Sequence, residues 1–196
     1  MPRIVDHDQR RRDLSRAVWE LIREEGLKAV TIRAVAAGSG WSSGAVRHYL
    51  PTREAILAFA AEELRNEFKL YLQSRPITGD PVVDVRALLI RYLPLDDFGK
   101  SMLEIWLAFV GVATSGQSGA KRANVYDDLN EMLTDTIGSL ATAGHVEMGD
   151  VPTVTVEVHA MLDGLSGHLL LGQVTEQGAE DAIDSWLARV VRPAAE

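Results

Sequence analysis

The chain has 196 residues, of which 46% are hydrophobic, with no cysteine and a formal net charge of −8. That length suits one mid-sized domain or a small head on a larger body, with enough apolar content for a buried core. The lack of cysteine excludes disulfides, thiolate metal sites and cysteine nucleophiles. The start MPRIVDHDQRRR is too polar for a secretory leader, and the longest apolar run, IWLAFVGVA at 105–113, is far too short to span a bilayer. A cytoplasmic protein with no membrane attachment is the expectation.

Helical signals recur along the whole chain and strand signals are few. A first helix over 8–25 places Leu14, Ala17, Val18, Leu21 and Ile22 on one face, with Gly26 as its C-cap. Two short helices follow within 31–50, and a fourth, over 52–73, carries Ile56, Leu57, Phe59, Ala60, Leu64, Phe68 and Leu72 inward. RPITGDP breaks the pattern. Further helices are expected over 82–92, 97–114, 121–143, 153–173 and 176–191, interrupted by Pro94, by TSGQSGA, by Gly144 and, after the last, by Pro193. The sixth, rich in MLEIWLAFVGVA, is apolar nearly all round and is expected to be buried on most sides. The fold class is therefore all-α with about nine helices: a three-helix head over residues 1–53 and a six-helix body over 54–196.

The stretch TIRAVAAGSGWSSGAVRHYLPTREAIL, residues 31–57, is the most informative. Thr31 can cap a helix through its hydroxyl, and Ile32, Val35 and Ala36 share a face. Gly40 suits a sharp turn, with the small Ala36 four residues before it permitting close approach. Ser42 or Ser43 caps the next helix, Val46 and Leu50 point inward, and Pro51 stops it before Thr52 caps another. This is a helix-turn-helix, whose second helix enters a DNA major groove. The outer face of that helix holds Ser42, Ser43, Gly44, Ala45, Arg47, His48 and Tyr49. Arg47 could bridge a guanine or neutralise a phosphate; the plainer alternative is a solvated helix face. Charge is distributed unevenly. Residues 1–53 carry ten Lys and Arg against six Asp and Glu, whereas 54–196 carry ten against 22. A basic head suits a polyanion, and Arg10, Arg11, Arg12 and Arg16 at the start of the first helix add to it.

On these residues the head resembles the N-terminal domain of the TetR family of transcriptional regulators. The match runs from Thr31 through Ala36, Gly40, Ser42, Gly44, His48, Tyr49, Leu50, Pro51 and Arg53 to Leu57. The chain departs from the family pattern at Leu50, where phenylalanine is usual, and at Arg53, where lysine is common. It departs also at Arg47, often tyrosine, and at Trp41, which replaces a small aliphatic residue. The resemblance implies a dimer that binds a palindromic double-stranded DNA operator, with Thr31, Tyr49 and Arg53 on phosphates. Ser42, Ser43, Gly44, Ala45, Arg47 and His48 would then face the groove. It also implies a small-molecule effector bound in the body that changes the spacing of two recognition helices, repression being the usual outcome. No cofactor, metal or catalytic residue is implied.

In the body, the last two helices carry apolar faces and Gly164, Gly167 and Gly172, a pattern that suits close helix approach and a four-helix interface in a homodimer. The interface residues expected are Leu165, His168, Leu169, Gly172, Trp186 and Val190. Tyr92, Met102, Trp106, Phe109, Tyr126, His159 and Asp163 are the candidates to line an effector cavity. His159 and Asp163 are four apart and share a face, and aromatic rings with carboxylates, Glu104 among them, suit a cationic ligand. Two other classes stay open on the residues alone. One is a small α-helical enzyme using His159 as a base oriented by Asp163, though no HExxH or GxxxxGK[ST] pattern is present. The other is an interaction module whose head binds protein.

Overall fold

The structure is a computed structural model, and it describes residues 7–114 and 127–192. Among them it contains nine α-helices and no strand: α1 (His7–Glu25), α2 (Ile32–Ser39), α3 (Ser43–Tyr49), α4 (Arg53–Gln73), α5 (Pro81–Tyr92), α6 (Asp97–Thr114), α7 (Asp127–Thr142), α8 (Val151–Leu170) and α9 (Glu176–Val190). The all-α expectation holds. The expected start of the seventh helix at 121 and the TSGQSGA break lie outside the described residues. Residues 7–68 and 104–114 belong to one compact unit, and residues 69–103 and 127–192 to another. Both α4 and α6 run from one unit into the other.

In the first unit, local capping sets the helix starts. The Thr31 hydroxyl accepts a hydrogen bond from the Ala34 amide, Ser42 from Ala45 and Thr52 from Ala55, each at 3.1 Å. Gly40 ends α2 with φ +73°, a conformation that costs other residues steric strain, and this lets α3 leave at a sharp angle. Val18, Val30, Val35, Val46, Ile56 and Ala60 are completely buried and form the core. α2 lies tightly on α1 at Gly38, where a Cβ would stand 3.3 Å from the Ala17 Cβ. Between α1 and α4, the buried indole N–H of Trp19 donates to the Ala60 carbonyl at 3.1 Å.

In the second unit, Asp80 caps α5 by accepting from the Val82 and Val83 amides, with Pro81 in the first turn. Leu88, Leu89, Leu133, Ile137, Leu140, Val158, Leu162 and Ile183 form its core from α5, α7, α8 and α9. The end of α4 is tied in by a polar cluster. The Tyr71 hydroxyl donates to Asp96 at 2.8 Å, the Arg91 guanidinium lies 3.5 Å from the Tyr71 ring centroid, and Phe98 packs on that ring at 4.7 Å.

One expectation needs correction. α6 is not buried on most sides: Met102 and Ile105 are buried, but Leu107 is 45% exposed and Glu104 is exposed. Glu104 pairs with Arg23 of α1 at 3.2 Å instead of joining a ligand site. Apolar content states how much surface a helix could bury, not which side finds a partner.

Trp19→Phe removes a buried donor while keeping most of the ring. We expect a loss of about 1 kcal/mol in urea unfolding; no change would mean the Ala60 carbonyl contact contributes nothing. The Tyr71 phenol is pushed up to about 12, first by burial and then by its Asp96 partner. A raised folded pKa contributes stability that is fully present below the ordinary tyrosine value of 10.0 and is lost as pH rises toward about 12. Unfolding midpoints measured across that alkaline range should fall less steeply in Tyr71→Phe than in the wild type.

Candidate nucleic-acid interface and ligand site

α3 is short, and its sequence divides cleanly. Val46 is completely buried and Leu50 nearly so, which seats the helix on the core of the first unit. Ser42, Ser43 and Gly44 are exposed and small, so the first turn presents backbone with little side chain in front of it. Arg47 and His48 are exposed and Tyr49 is 50% exposed. Ser43 with Arg47, and Gly44 with His48, are i,i+4 pairs, so small and basic residues alternate along the outer surface. That surface can approach a duplex closely with its backbone and place two donor side chains against base edges or phosphates.

Residues expected at phosphates have further duties. The Thr31 hydroxyl oxygen caps α2, which leaves its proton for a phosphate oxygen. Arg53, at the start of α4, donates to the carbonyls of Val30 and Leu27. It therefore ties the segment before α2 to α4, a role the sequence pattern does not reveal, and it retains further N–H groups for an anion. Tyr49 meets the Trp41 ring edge-on at 5.6 Å and the His48 ring at 5.5 Å.

The residues expected at a ligand separate. In the second unit, the Tyr92 hydroxyl of α5 donates to the Asp163 carboxylate of α8 at 2.9 Å, and the Tyr92 ring meets His159 edge-on at 6.5 Å. Tyr92 is buried, while His159 and Asp163 are half-buried one turn apart on α8. The result is a carboxylate with aromatic neighbours in a partly dry setting, an arrangement that favours a cation. Met102 is buried in the same unit. Trp106 and Phe109 belong to the first unit and are half-buried, and Tyr126 lies outside the described residues. A separate open groove of about 380 Å³ in the second unit is lined by residues including Arg75, Asp84, Leu88, Met132 and Asp135, and does not include the Tyr92–His159–Asp163 group.

Of the residues expected at a dimer interface, Leu165, Leu169 and Val190 are half-buried, His168 and Gly172 are exposed, and Trp186, at 5% exposure, is buried within its own chain. The sequence reading names Gly164 and His168 on α8 but not the exposed Val156 and Ala160 in line with them. Val156, Ala160, Gly164, His168 and, just past the helix end, Leu171 are all exposed at helical spacing, and among the described residues nothing beyond the helix's own backbone stands within 4 Å of a Cβ built at Gly164 or Gly167. The signal was present in the four-residue spacing of small and apolar residues.

Comparison with known proteins bears on what this architecture is. A helix-turn-helix followed by a longer α4, in a chain that continues as an α-helical body, is the layout of a transcriptional regulator. Residues 81–192 match the family model for the C-terminal domain of BetI-type transcriptional repressors. The regulator PksA of Bacillus subtilis is 26% identical over 176 residues, covering 89% of this chain and 85% of its own. Among solved structures, a TetR-family regulator from Rhodococcus sp. superposes with a TM-score of 0.83 at 17% identity, covering 94% of this chain and 100% of its own. A protein from Saccharomonospora viridis described as a transcriptional regulator, solved in complex with choline, gives a TM-score of 0.74 at 19% identity over 95% of this chain and 100% of its own. The chain belongs to the TetR family of transcriptional regulators, with a C-terminal domain of BetI type. That membership sets aside the enzyme reading of His159 and Asp163. Among the described residues no helix is long and apolar enough to cross a membrane.

The double duty of Arg53 separates it experimentally from Arg47. Arg53→Ala should lower both the thermal midpoint and DNA affinity, the first by roughly 1 kcal/mol of stability for its lost carbonyl contacts. Arg47→Ala should lower DNA affinity alone. Equal thermal loss in the two variants would contradict these assignments.

Proposed function

We propose that this protein is a ligand-responsive repressor that binds a palindromic operator as a homodimer and is released by a small organic cation. The observation that carries the reading is the outer face of α3, where small residues flank exposed Arg47, His48 and Tyr49 beside a buried Val46 and Leu50. A single short helix reads only a few base pairs, so selective binding calls for two copies on successive major grooves, about 34 Å apart. The outward stripe of α8 supports a symmetric pairing, because Ala160 and Gly164 leave room for a second helix and Val156 and Leu171 supply apolar area. His168 belongs to that stripe, Leu165 and Leu169 are half-buried on the same helix, and Trp186 is buried within its own chain. The division of labour follows: residues 1–53 read DNA, and the remainder binds effector and partner.

The effector class rests on Asp163. Its carboxylate holds one neutral phenol donor beside an imidazole ring, a setting in which an organic cation gains both charge and ring contacts. The structurally similar Saccharomonospora viridis protein was solved with choline, which makes choline the first probe. Binding would shift an equilibrium between two arrangements through its different affinity for each, with α4, continuous from Arg53 to Gln73, carrying the change.

Fluorescence anisotropy of the wild-type protein against duplexes selected from genomic DNA, at several salt concentrations and beside scrambled controls, tests the reading. We expect selective, salt-dependent binding of two chains per duplex, the stoichiometry being read by sedimentation. Choline should weaken it, and Asp163→Asn should raise the choline concentration required roughly tenfold. Equal, weak binding to selected and scrambled duplexes would sink the DNA reading. Selective binding that ignores choline would leave the regulator and remove the cationic effector.

A further inference from the structure

Three rings and one guanidinium form a continuous relay along the edge of α3. The Arg10 guanidinium of α1 lies 5.2 Å from the centroid of the Trp41 ring. Trp41 meets Tyr49 edge-on at 5.6 Å and 76°, and Tyr49 meets His48 at 5.5 Å and 88°. Trp41 is the residue immediately before the Ser42 cap, so the relay joins the early turns of α1, the turn between α2 and α3, and the end of α3. We propose that Trp41 is a positioning residue that holds Arg10 and Tyr49 at the rim of the DNA-reading surface, so that α1 adds a phosphate contact of its own. The proposal rests on the DNA-binding reading above.

The neighbouring arginines show why Arg10 is the one concerned. Arg11 pairs with Glu63 at 2.6 Å, and Arg12 and Arg16 act electrostatically on Glu67. Arg10 stacks on a neutral ring instead, an arrangement that orders the side chain without cancelling its charge. A guanidinium lying over a ring keeps its edge N–H groups available, and those are the groups that bind a phosphate. Ordering before contact removes part of the entropy loss that a free arginine would suffer on binding. Trp41 does the same for Tyr49, whose half-exposed ring is braced between Trp41 and His48. A small aliphatic residue at 41, as the family pattern has it, offers no ring face to Arg10 and no edge contact to Tyr49.

The test measures affinity and its salt dependence for Arg10→Ala, Trp41→Val, the double variant and Trp41→Phe, on a duplex selected by the wild type from genomic DNA and on a scrambled duplex. Phosphate contacts carry no sequence information, so Arg10→Ala and Trp41→Val should weaken binding several-fold and by the same factor on both duplexes. Each should also reduce the slope of log affinity against log salt by about 0.9, the value for one phosphate. The double variant should be no weaker than Trp41→Val, and Trp41→Phe, which keeps a ring face, should restore the slope. Thermal midpoints separate loss of fold from loss of contact, and Trp41→Leu replaces Trp41→Val if the latter unfolds. An unchanged slope in Trp41→Val, or a double variant weaker by the product of the two single effects, would overturn the positioning role while leaving DNA binding intact. A wild type that binds neither duplex with salt dependence would overturn the DNA reading and this proposal with it.

Discussion

The hydrogen bond from the buried Trp19 indole to the Ala60 carbonyl ties α1 to α4 inside the core of the first unit. A buried N–H without a partner is costly, so the indole must find an acceptor, and Ala60 offers one in mid-helix where the backbone is rigid. That fixes the distance and roll of α1 against α4. α2 then rests closely on α1 where Gly38 faces Ala17. α3 leaves α2 through the left-handed Gly40 and is held by Val46 in the same core. Arg53 closes the circuit by binding the carbonyls of Leu27 and Val30. The helix α3 is thus supported from behind by packed and paired groups, which lets its outer surface consist of small residues, of which Ser42 also caps the helix.

The second unit distributes polarity differently. Its α8 buries Val151, Val154, Val158 and Leu162 along one side and exposes Val156, Ala160 and Gly164 on another. His159 and Asp163 lie between those stripes, half-buried. An ionisable side chain in that position is partly desolvated yet reachable, and Asp163 meets the desolvation with the Tyr92 hydroxyl. One neutral donor satisfies a fraction of the four or so acceptor sites of a carboxylate. A ligand bearing positive charge would find unused acceptor capacity there, which an apolar core position would not provide.

What the sequence made legible is local. The caps Thr31, Ser42 and Thr52, the turn at Gly40 and the inward Val46 act within four residues of their partners, so residue type and spacing sufficed. The helix count and the pairing of His159 with Asp163 on one face followed from periodicity for the same reason. The Trp19–Ala60 and Arg53–Leu27 contacts join residues 41 and 26 positions apart, and no local pattern encodes them. Sequence alone groups Glu104 with the ligand-facing carboxylates because its partner, Arg23, is 81 positions away. The outward stripe of α8 was visible as spacing, but which of its two apolar faces meets the core depends on the placement of α5, α7 and α9, which sequence periodicity leaves open.

The same distinction between local and summed properties resolves the charge of this protein. A net charge of −8 argues against a polyanionic partner if the chain is treated as a point. Salt screens exposed charges beyond about 10 Å at 0.1 M, so a duplex responds to the groups at the contact surface rather than to the total. On the proposed contact surface of α3 those groups would be Arg47 and His48, with Arg10 over the Trp41 ring. Elsewhere in the first unit, two arginines are paired with carboxylates: Arg11 with Glu63 and Arg23 with Glu104. Those two pairs involve α1, α4 and α6, whereas on α3 Arg47 and His48 are exposed beside small residues. An acidic total then works in favour of selectivity, because it weakens adhesion of the rest of the chain to nucleic acid and leaves binding to the surface that reads sequence.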